Sequence, residues 1–168
     1  TNWASVAAGR IHSVALKRDG TLWAWGGNYS GQLGDGTTTD RSSPVEIGSG
    51  YAFVTAGALD DTAAVKTDGT LWAWGDNLYG QLGDGTTTNR SYPALIGSGY
   101  DSVAMGSVHT VALKRDGTLW AWGSNGLGQL GDGTTTDRVS PVQIGTDKNW
   151  TAVATGRWHT ISVKQDGS

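Results

Sequence analysis

The apolar pattern of this chain is clearest in residues 19–26, DGTLWAWG, where large and small side chains alternate. A strand points successive side chains to opposite faces, so Trp23 and Trp25 share one face while Leu22 and Ala24 share the other. Both faces are apolar, which is typical of a strand that is covered on both sides. An Asp-Gly turn precedes the segment and a Gly follows it. The pattern predicts a strand at the centre of a small sheet, packed between two similar sheets, and it recurs at 68–75 and 116–123.

A second unit, residues 1–20, has two short apolar runs at 6–8 and 14–16 that are separated by Gly9 and a polar turn. Two such runs around a turn predict a β-hairpin. The unit recurs three times, beginning at Tyr51, Tyr100 and Trp150. We therefore expect four copies of this hairpin along the chain.

A third unit is a short apolar segment that begins with proline, at Pro44, Pro93 and Pro141. Proline cannot donate to a sheet ladder, so we place this strand at the outer edge of each sheet. Two strands in each of four hairpins and two in each of three connecting units give 8 + 6 = 14 strands. Gly or Pro interrupts every apolar run, so we expect no helix longer than about two turns.

The units recur with a period of about 48 to 50 residues, marked by Trp23, Trp72 and Trp120. Four short strands at this period indicate a β-propeller blade, because one blade cannot bury its two apolar faces alone. A solenoid is the alternative architecture. We predict an all-β chain with blades of four antiparallel strands, about three and a half blades in one repeat domain. Its parts are a hairpin at 1–20 and repeats at 21–69, 70–117 and 118–168.

Several of these residues carry a family resemblance. The pairs Asp19-Gly20 and Trp25-Gly26, together with the GQLGDG segment at 31–36, resemble the regulator of chromosome condensation repeat. The resemblance extends to Asn28, to Pro44, to the Val-Ala-x-Gly at 6–9 and to His12. It implies a propeller, which in this family usually closes with about seven blades, and it implies a role in protein–protein interaction.

Composition narrows the functional classes. The net charge is −3 with Lys and Arg scattered along the repeats, so the basic patch expected of a nucleic-acid partner is missing. The chain has no cysteine, which removes disulfides and thiol chemistry. No apolar segment has the length of a membrane span or the form of a signal peptide, so we expect no membrane partner. Because the chain begins at Thr1, we expect it to be processed or cut from a longer protein. An extracellular or cell-surface location is slightly favoured over a cytoplasmic one.

Several titratable residues are candidates for metal binding or catalysis. Asp35 and Asp40 could serve as calcium ligands, but the ligand order of an EF-hand is absent and a folded loop explains the DGTTTD segment better. A column of residues at one repeat position comprises His12, His109 and His159, with Asp61 in the fourth place. We interpret its histidines as turn residues bonded to backbone rather than as metal ligands. No nucleophile motif or cofactor-binding motif is present, so we predict a non-enzymatic protein without a cofactor.

Positions that differ between repeats are free to contact a partner. Apolar, aromatic and arginine residues at such loop positions are candidates, because Trp, Tyr and Arg dominate binding hot spots. Trp158 beside Arg157 is the favoured exposed anchor, and we expect Trp23, Trp72 and Trp120 to be more buried than Trp158. The alternative is that some of these side chains only cover the neighbouring blade. The partner-binding candidates are Arg10, Tyr29, Leu59, Asp60, Tyr79, Leu127, Arg157 and Trp158.

These features favour a propeller scaffold for protein–protein interaction or self-assembly. A carbohydrate-binding propeller and a fragment of a larger propeller without a function of its own are the alternatives. Three repeats and a hairpin cannot close a ring of about seven blades. We therefore expect self-association through the terminal hairpins 1–20 and 148–168, by ring closure or end-to-end stacking. Ring closure would place two hairpins side by side, which stacking avoids.

Overall fold

A computed structural model describes residues 2–168, and these residues form fourteen β-strands and no helix. No helix that could cross a membrane occurs in this described part. The first sheet contains β1 Trp3–Ala8, β2 His12–Lys17, β3 Leu22–Gly26 and β4 Arg41–Gly48. The second contains β5 Tyr51–Ala56, β6 Asp61–Lys66, β7 Leu71–Gly75 and β8 Arg90–Gly97. The third contains β9 Tyr100–Met105, β10 His109–Lys114, β11 Leu119–Gly123 and β12 Arg138–Gln143. The fourth contains β13 Trp150–Thr155 and β14 Thr160–Lys164.

Each sheet is an antiparallel meander whose strands follow chain order. The hairpin supplies the first two strands and the LWAWG segment the third, while the strand that contains the proline forms the edge, as predicted. The prediction that this strand begins with proline is wrong, because β4, β8 and β12 each begin three residues earlier. The first strands of successive sheets adjoin one another, β1 beside β5, β5 beside β9 and β9 beside β13. Three four-stranded sheets and a two-stranded one confirm the predicted partial propeller, and we call them blades 1 to 4.

Successive blades pack through two different faces. The Leu and Ala face of β3, with Leu22 and Ala24 both fully buried, packs against the face of blade 2 that carries Trp74. Blade 2 repeats the arrangement, presenting Leu71 and Ala73 to the Trp122 face of blade 3. Alternating side chains on one strand therefore serve two different neighbours, which explains why LWAWG is apolar on both faces.

The two tryptophans of the LWAWG strand differ in burial in blades 2 and 3, whereas both are half-buried in blade 1. Trp74 and Trp122 are fully buried, whereas Trp72 is half-buried beneath Lys66, whose Nζ lies 4.9 Å from the centre of its ring. Trp23 and Trp120 are half-buried in the same way. Trp158 is 44% exposed, so the prediction that the first tryptophans of the repeats are more buried is confirmed. The most deeply buried rings are the second tryptophans of blades 2 and 3, Trp74 and Trp122.

Candidate functional site

Two kinds of turn meet at one end of each blade. The loop that follows the LWAWG strand starts beside the hairpin turn of the same blade, held by bonds from Gly27 N to Ile11 O at 2.8 Å and from Asp76 N to Asp60 O at 2.7 Å. The hairpin turns of neighbouring blades also join, as the bond from Ala58 N to Gly106 O shows. The variable positions of the repeats are thereby brought to one continuous surface. We call it the loop surface and define it by Arg10, Ile11, Tyr29, Leu59, Leu78, Tyr79, Leu127, Arg157 and Trp158.

The repeated loop behind this surface is folded around an asparagine. The Asn28 Nδ2 group donates to Thr37 O at 3.0 Å and to Thr39 O at 3.1 Å, and its Oδ1 accepts from Leu33 N. Asn77 and Asn125 make the same bonds in blades 2 and 3. Such a network satisfies backbone groups that a strand ladder cannot reach. The loop is therefore a rigid support for the loop surface.

The two aspartates considered as calcium ligands are engaged within this loop. Asp35 accepts from Thr37 N at 3.0 Å and pairs with the Arg41 guanidinium at 2.6 Å. Asp40 accepts from Asn28 N at 2.8 Å. Burial opposes ionisation of Asp35, but the bonds from Thr37 and Arg41 prevail and lower its pKa. The interpretation of DGTTTD as a folded loop with satisfied donors is confirmed, and within residues 2–168 no cluster of three metal-ligating residues occurs.

The loop of one blade is also fixed to the next blade through a glutamine carbonyl. Gln32 O accepts from Trp74 Nε1 at 3.0 Å and from Thr62 Oγ1 at 2.9 Å. Gln81 O accepts from Trp122 Nε1 at 2.9 Å and from Thr110 Oγ1 in the same way. Sequence reasoning missed these glutamines. Their identity in all three loops, 32, 81 and 129, was the available signal.

The histidine column lies at these junctions between blades. His12 Nε2 lies 2.9 Å from Thr62 Oγ1 of the next blade, and His109 Nε2 lies 3.2 Å from Thr160 Oγ1. His12 and His109 thus bond a side chain of the neighbouring blade. For His12 the expected bond to backbone is wrong, whereas His109 also interacts with the backbone of His159. Burial is the main cause that lowers the pKa of both rings to about 4. A Cβ on Gly9 would lie 2.2 Å from the His12 ring, so the glycine leaves the space that the imidazole needs.

Asp61 occupies the same place in blade 2 without an equivalent bond. Its side chain is fully buried, and neither carboxylate oxygen has a hydrogen-bond partner among the described residues. Burial, and then the nearby Asp76, raise its pKa well above the ordinary value. A carboxyl group is shorter than an imidazole and does not bridge to the Thr110 hydroxyl, which donates to Gln81 O. The junction between blades 2 and 3 therefore lacks one polar contact that the other two junctions have.

A polar cluster orders the loop surface at blades 1 and 2. Asp60 is buried and pairs with Arg10 at 2.7 Å, while Gln32 Nε2 donates to its second oxygen at 3.2 Å. The Tyr29 hydroxyl bonds both Asp60 and Arg10. The bond to Asp60 raises the pKa of Arg10, and burial followed by the same carboxylate raises the pKa of Tyr29. Asp60 itself is buried and exposes little surface to a partner, but it positions the exposed side chains of Arg10 and Tyr29.

The other predicted residues lie at separate points of the loop surface. Tyr79 and Leu127 are exposed after the LWAWG strands of blades 2 and 3, and Leu59 is half-buried in the second hairpin turn. Arg157 lies over the ring of Trp158 at 5.4 Å, so the favoured anchor is an exposed aromatic stacked with a cation. Two exposed side chains of the same surface, Ile11 and Leu78, extend the predicted set.

The fold and the repeated loops place this chain in the class of repeat proteins built from β-propeller blades. The repeat of the regulator of chromosome condensation matches residues 19–58, 68–113 and 116–163, and a second profile of that repeat matches residues 3–32, 45–81 and 100–129. The chain belongs to the regulator of chromosome condensation repeat family.

Relatives in sequence share single stretches with this chain. The ultraviolet-B receptor UVR8 of Arabidopsis thaliana is 43% identical over 42 residues, 25% of this chain and 10% of the receptor. The human probable E3 ubiquitin-protein ligase HERC3 is 48% identical over 44 residues, 26% of this chain and 4% of the ligase. The chain therefore spans a small part of the length of these relatives.

Solved structures share the fold over nearly the whole chain. Human WBSCR16 matches with a TM-score of 0.84 at 25% identity, covering 98% of this chain and 46% of that one. Yeast RCC1 (Prp20), in a structure in which Kap60 is bound to it, matches with a TM-score of 0.84 at 23% identity, covering 98% of this chain and 42% of that one. Prp20p of Saccharomyces cerevisiae, studied for its binding to Gsp1p and histones, matches with a TM-score of 0.83 at 23% identity over 97% of this chain and 43% of that one. The chain spans less than half of each.

Proposed function

We propose that this chain is a non-catalytic propeller scaffold that binds a protein partner through the loop surface. The observation that carries the proposal is the division between two kinds of repeat position. Residues identical in all repeats, such as Asn28 and Gln32, are fully buried in the loops and junctions. Residues that vary, such as Tyr29 and Leu127, are exposed together on one surface.

The chemistry of this surface suits a protein partner. Arg10 and Tyr29 are held in place by the buried Asp60, so little side-chain entropy remains to be lost on binding. Exposed leucines at 78 and 127 add apolar area beside the aromatic rings. Aromatic and arginine anchors with an apolar surround are typical of binding hot spots. Among the structural relatives, yeast RCC1 is seen with Kap60 bound to it, which supports a partner of this class.

A binding experiment with a matched control tests this proposal. Leu78→Ser and Trp158→Ala, each on the loop surface, should reduce the recovery of a cross-linked protein partner at least tenfold. Leu95→Ser is the control, because Leu95 is a leucine of similar exposure (56% against 68% for Leu78) that lies on the outer strand β8. Equal recovery by all variants would contradict the loop surface as the binding site.

A carbohydrate ligand is the second candidate, favoured by the exposed rings of Tyr29, Tyr79 and Trp158. Stacking rings bind sugars when carboxylates and amides nearby supply hydrogen bonds. The carboxylate closest to Tyr29 belongs to Asp60, which is already engaged by Arg10. Binding to a glycan array that Trp158→Ala abolishes would favour this candidate over a protein partner.

Self-association is the third candidate, favoured by the uncovered faces at both ends. Val6 is 69% exposed on the Trp face of blade 1, and Ile161 is 58% exposed on β14. Within the chain such faces pack against each other, so two copies have complementary ends and form a head-to-tail contact. A monodisperse monomer in light scattering at micromolar concentration would contradict this candidate and would leave the loop surface proposal intact.

A further inference from the structure

Three asparagines in this chain begin an Asn-x-Ser or Asn-x-Thr motif in which x is not proline, namely Asn28, Asn89 and Asn149. This motif is the acceptor sequence for N-linked glycans in secreted proteins. A glycan is bulky and hydrated, so the folded chain accommodates it only where the side-chain amide nitrogen is free and faces solvent. The three motifs differ in both respects.

The motif at Asn28 lies inside the folded loop of blade 1. Asn28 is fully buried, and its Nδ2 donates to Thr37 O at 3.0 Å and to Thr39 O at 3.1 Å. A sugar on this nitrogen would replace one of its hydrogens and separate the loop from the asparagine that holds it. Asn28 therefore cannot carry a glycan in the folded chain.

The motif at Asn149 is partly enclosed. Asn149 is half-buried immediately before β13, and its carbonyl accepts from Gln165 N at 2.8 Å. Trp150, the next residue of the motif, packs beneath Lys164, whose Nζ lies 4.9 Å from the centre of a ring. The motif is thus held against blade 4 and leaves little room for a glycan.

Asn89 occupies a repeat position at which blades 1 and 3 carry aspartates, Asp40 and Asp137. Each aspartate accepts from the backbone N–H of the asparagine that starts the loop, at 2.8 Å in blade 1 and 2.7 Å in blade 3. In blade 2 the Asn89 Oδ1 atom accepts from Asn77 N at 2.8 Å. The structural role of this position therefore needs only one acceptor oxygen, and the amide oxygen of Asn89 supplies it.

The amide nitrogen of Asn89 is left free by this arrangement. Asn89 is exposed, and its Nδ2 makes no hydrogen bond with any described residue. It lies outside the sheet, one residue before the edge strand β8 begins. An open hollow of about 340 Å³ adjoins it and is also lined by Tyr92, which is 66% exposed. A first sugar residue therefore has room beside Asn89 and an apolar ring face to pack against.

We infer that Asn89 is an N-glycosylation site whose second substrate is a lipid-linked oligosaccharide of the secretory pathway. In the transfer, Nδ2 loses one proton and bonds the anomeric carbon of the sugar, while the bond from that carbon to the lipid pyrophosphate breaks and the pyrophosphate leaves. The Oδ1 atom takes no part, so the bond from Asn77 N persists. This site goes beyond the proposed function, because it carries a covalent modification rather than a bound partner.

Secretion of the chain from mammalian cells, behind a cleavable secretion signal, tests this site. We expect the mass of the secreted chain to increase by one N-glycan, which peptide-N-glycosidase F removes. That enzyme converts the linked asparagine to aspartate. Mass spectrometry of the treated chain should therefore find aspartate at position 89 and unchanged asparagine at positions 28 and 149.

Two variants remove the motif by different routes. Asn89→Asp keeps the acceptor that blades 1 and 3 have at this position, so it should fold and be secreted like the parent chain but without the glycan. Ser91→Ala leaves Asn89 unchanged and should also lose the glycan. The double variant Ser30→Ala with Thr151→Ala removes the other two motifs, and it is the control in which the modification should persist.

An unmodified parent chain would overturn the inference, and so would a mass increase that survives Asn89→Asp. A glycan on Asn28 or Asn149 in place of Asn89 would overturn it as well. Where a variant is not secreted, the cell lysate is analysed in the same way, because the transfer precedes secretion. None of these results affects binding at the loop surface, which the Leu78→Ser variant measures separately.

Discussion

The junction between blades 1 and 2 and the junction between blades 2 and 3 have the same apolar design and differ in one polar contact. Both place a fully buried tryptophan against Leu and Ala, and both tie a glutamine carbonyl to the next blade. At the first junction His12 reaches Thr62 at 2.9 Å. At the second, Asp61 leaves both oxygens without a partner in the described part of the chain.

At the same repeat position, the side chain of blade 1 bonds the next blade, whereas the side chain of blade 2 has no such bond. The His12 ring bonds Thr62 through Nε2, although its Nδ1 has no partner among the described residues, and burial lowers the pKa of the ring to about 4, so the ring is neutral at pH 7. A buried carboxyl is stable only when neutral or bonded, and burial accordingly raises the pKa of Asp61. Blade 2 therefore packs against blade 3 with one polar contact fewer than blade 1 makes with blade 2.

Truncation of the junction tryptophans should have the largest effect. Trp74→Ala and Trp122→Ala should each destabilise the chain by about 3–5 kcal/mol, because each empties a fully buried site. Urea denaturation measures both. Trp72→Ala, at a half-buried site, should cost less than Trp74→Ala. A much smaller cost for Trp122→Ala than for Trp74→Ala would show that the two junctions differ in packing as well as in polar contacts.

Exchange of the column residues should have the next largest effect. Asp61→His should stabilise the chain by about 1–3 kcal/mol at pH 7, because it removes an unsatisfied buried carboxyl and supplies a ring that reaches Thr110. The converse variant, His109→Asp, should destabilise by a similar amount. Both are measured by chemical denaturation. Destabilisation by Asp61→His would contradict the interpretation of Asp61 as a mismatch.

Stability should depend on pH in opposite directions at the two kinds of site. His12 and His109, with folded-state pKa values of about 4 and ordinary values of 6.5, are protonated in the unfolded chain first, so stability rises as pH rises from about 4 to 6.5. Asp61 holds a proton in the folded chain above its ordinary pKa of 3.8, so its contribution falls as pH rises from there.

Asp61→Asn removes the opposing contribution. The rise in unfolding free energy between pH 4 and 6.5 should then be steeper, by up to about 1.4 kcal/mol per pH unit. Denaturation at a series of pH values compares the variant with the parent chain. An unchanged slope would show that Asp61 is ionised in the folded state.

The smallest effect on stability is expected away from both junctions. Trp158→Ala should cost less than about 1 kcal/mol, because the ring is 44% exposed and lies beneath the Arg157 guanidinium at the surface. Thermal denaturation measures this cost, and partner binding should fall far more. A loss of stability as large as that of Trp74→Ala would place Trp158 in the scaffold and not in the binding surface.

The fold and the repeat follow from local features of the sequence. Alternation in LWAWG, the Asp-Gly turns and the edge prolines are local properties, and they predict the fourteen strands and their order because each hairpin pairs residues close in the chain. The eight predicted partner-binding residues could also be placed in turns from the sequence, because the turns are local features as well. Their role in binding stays a prediction.

The contacts between blades, in contrast, could not be predicted from the repeat pattern. Which tryptophan of each pair is fully buried depends on the neighbouring blade, and local alternation treats Trp72 and Trp74 alike. The bond from His12 to Thr62, the pairing of Arg10 with Asp60 and the bond from Thr160 to Gln129 O join residues that lie about 30 to 50 positions apart in the chain. Such contacts depend on how closely neighbouring blades pack, and no pattern within one repeat specifies that distance.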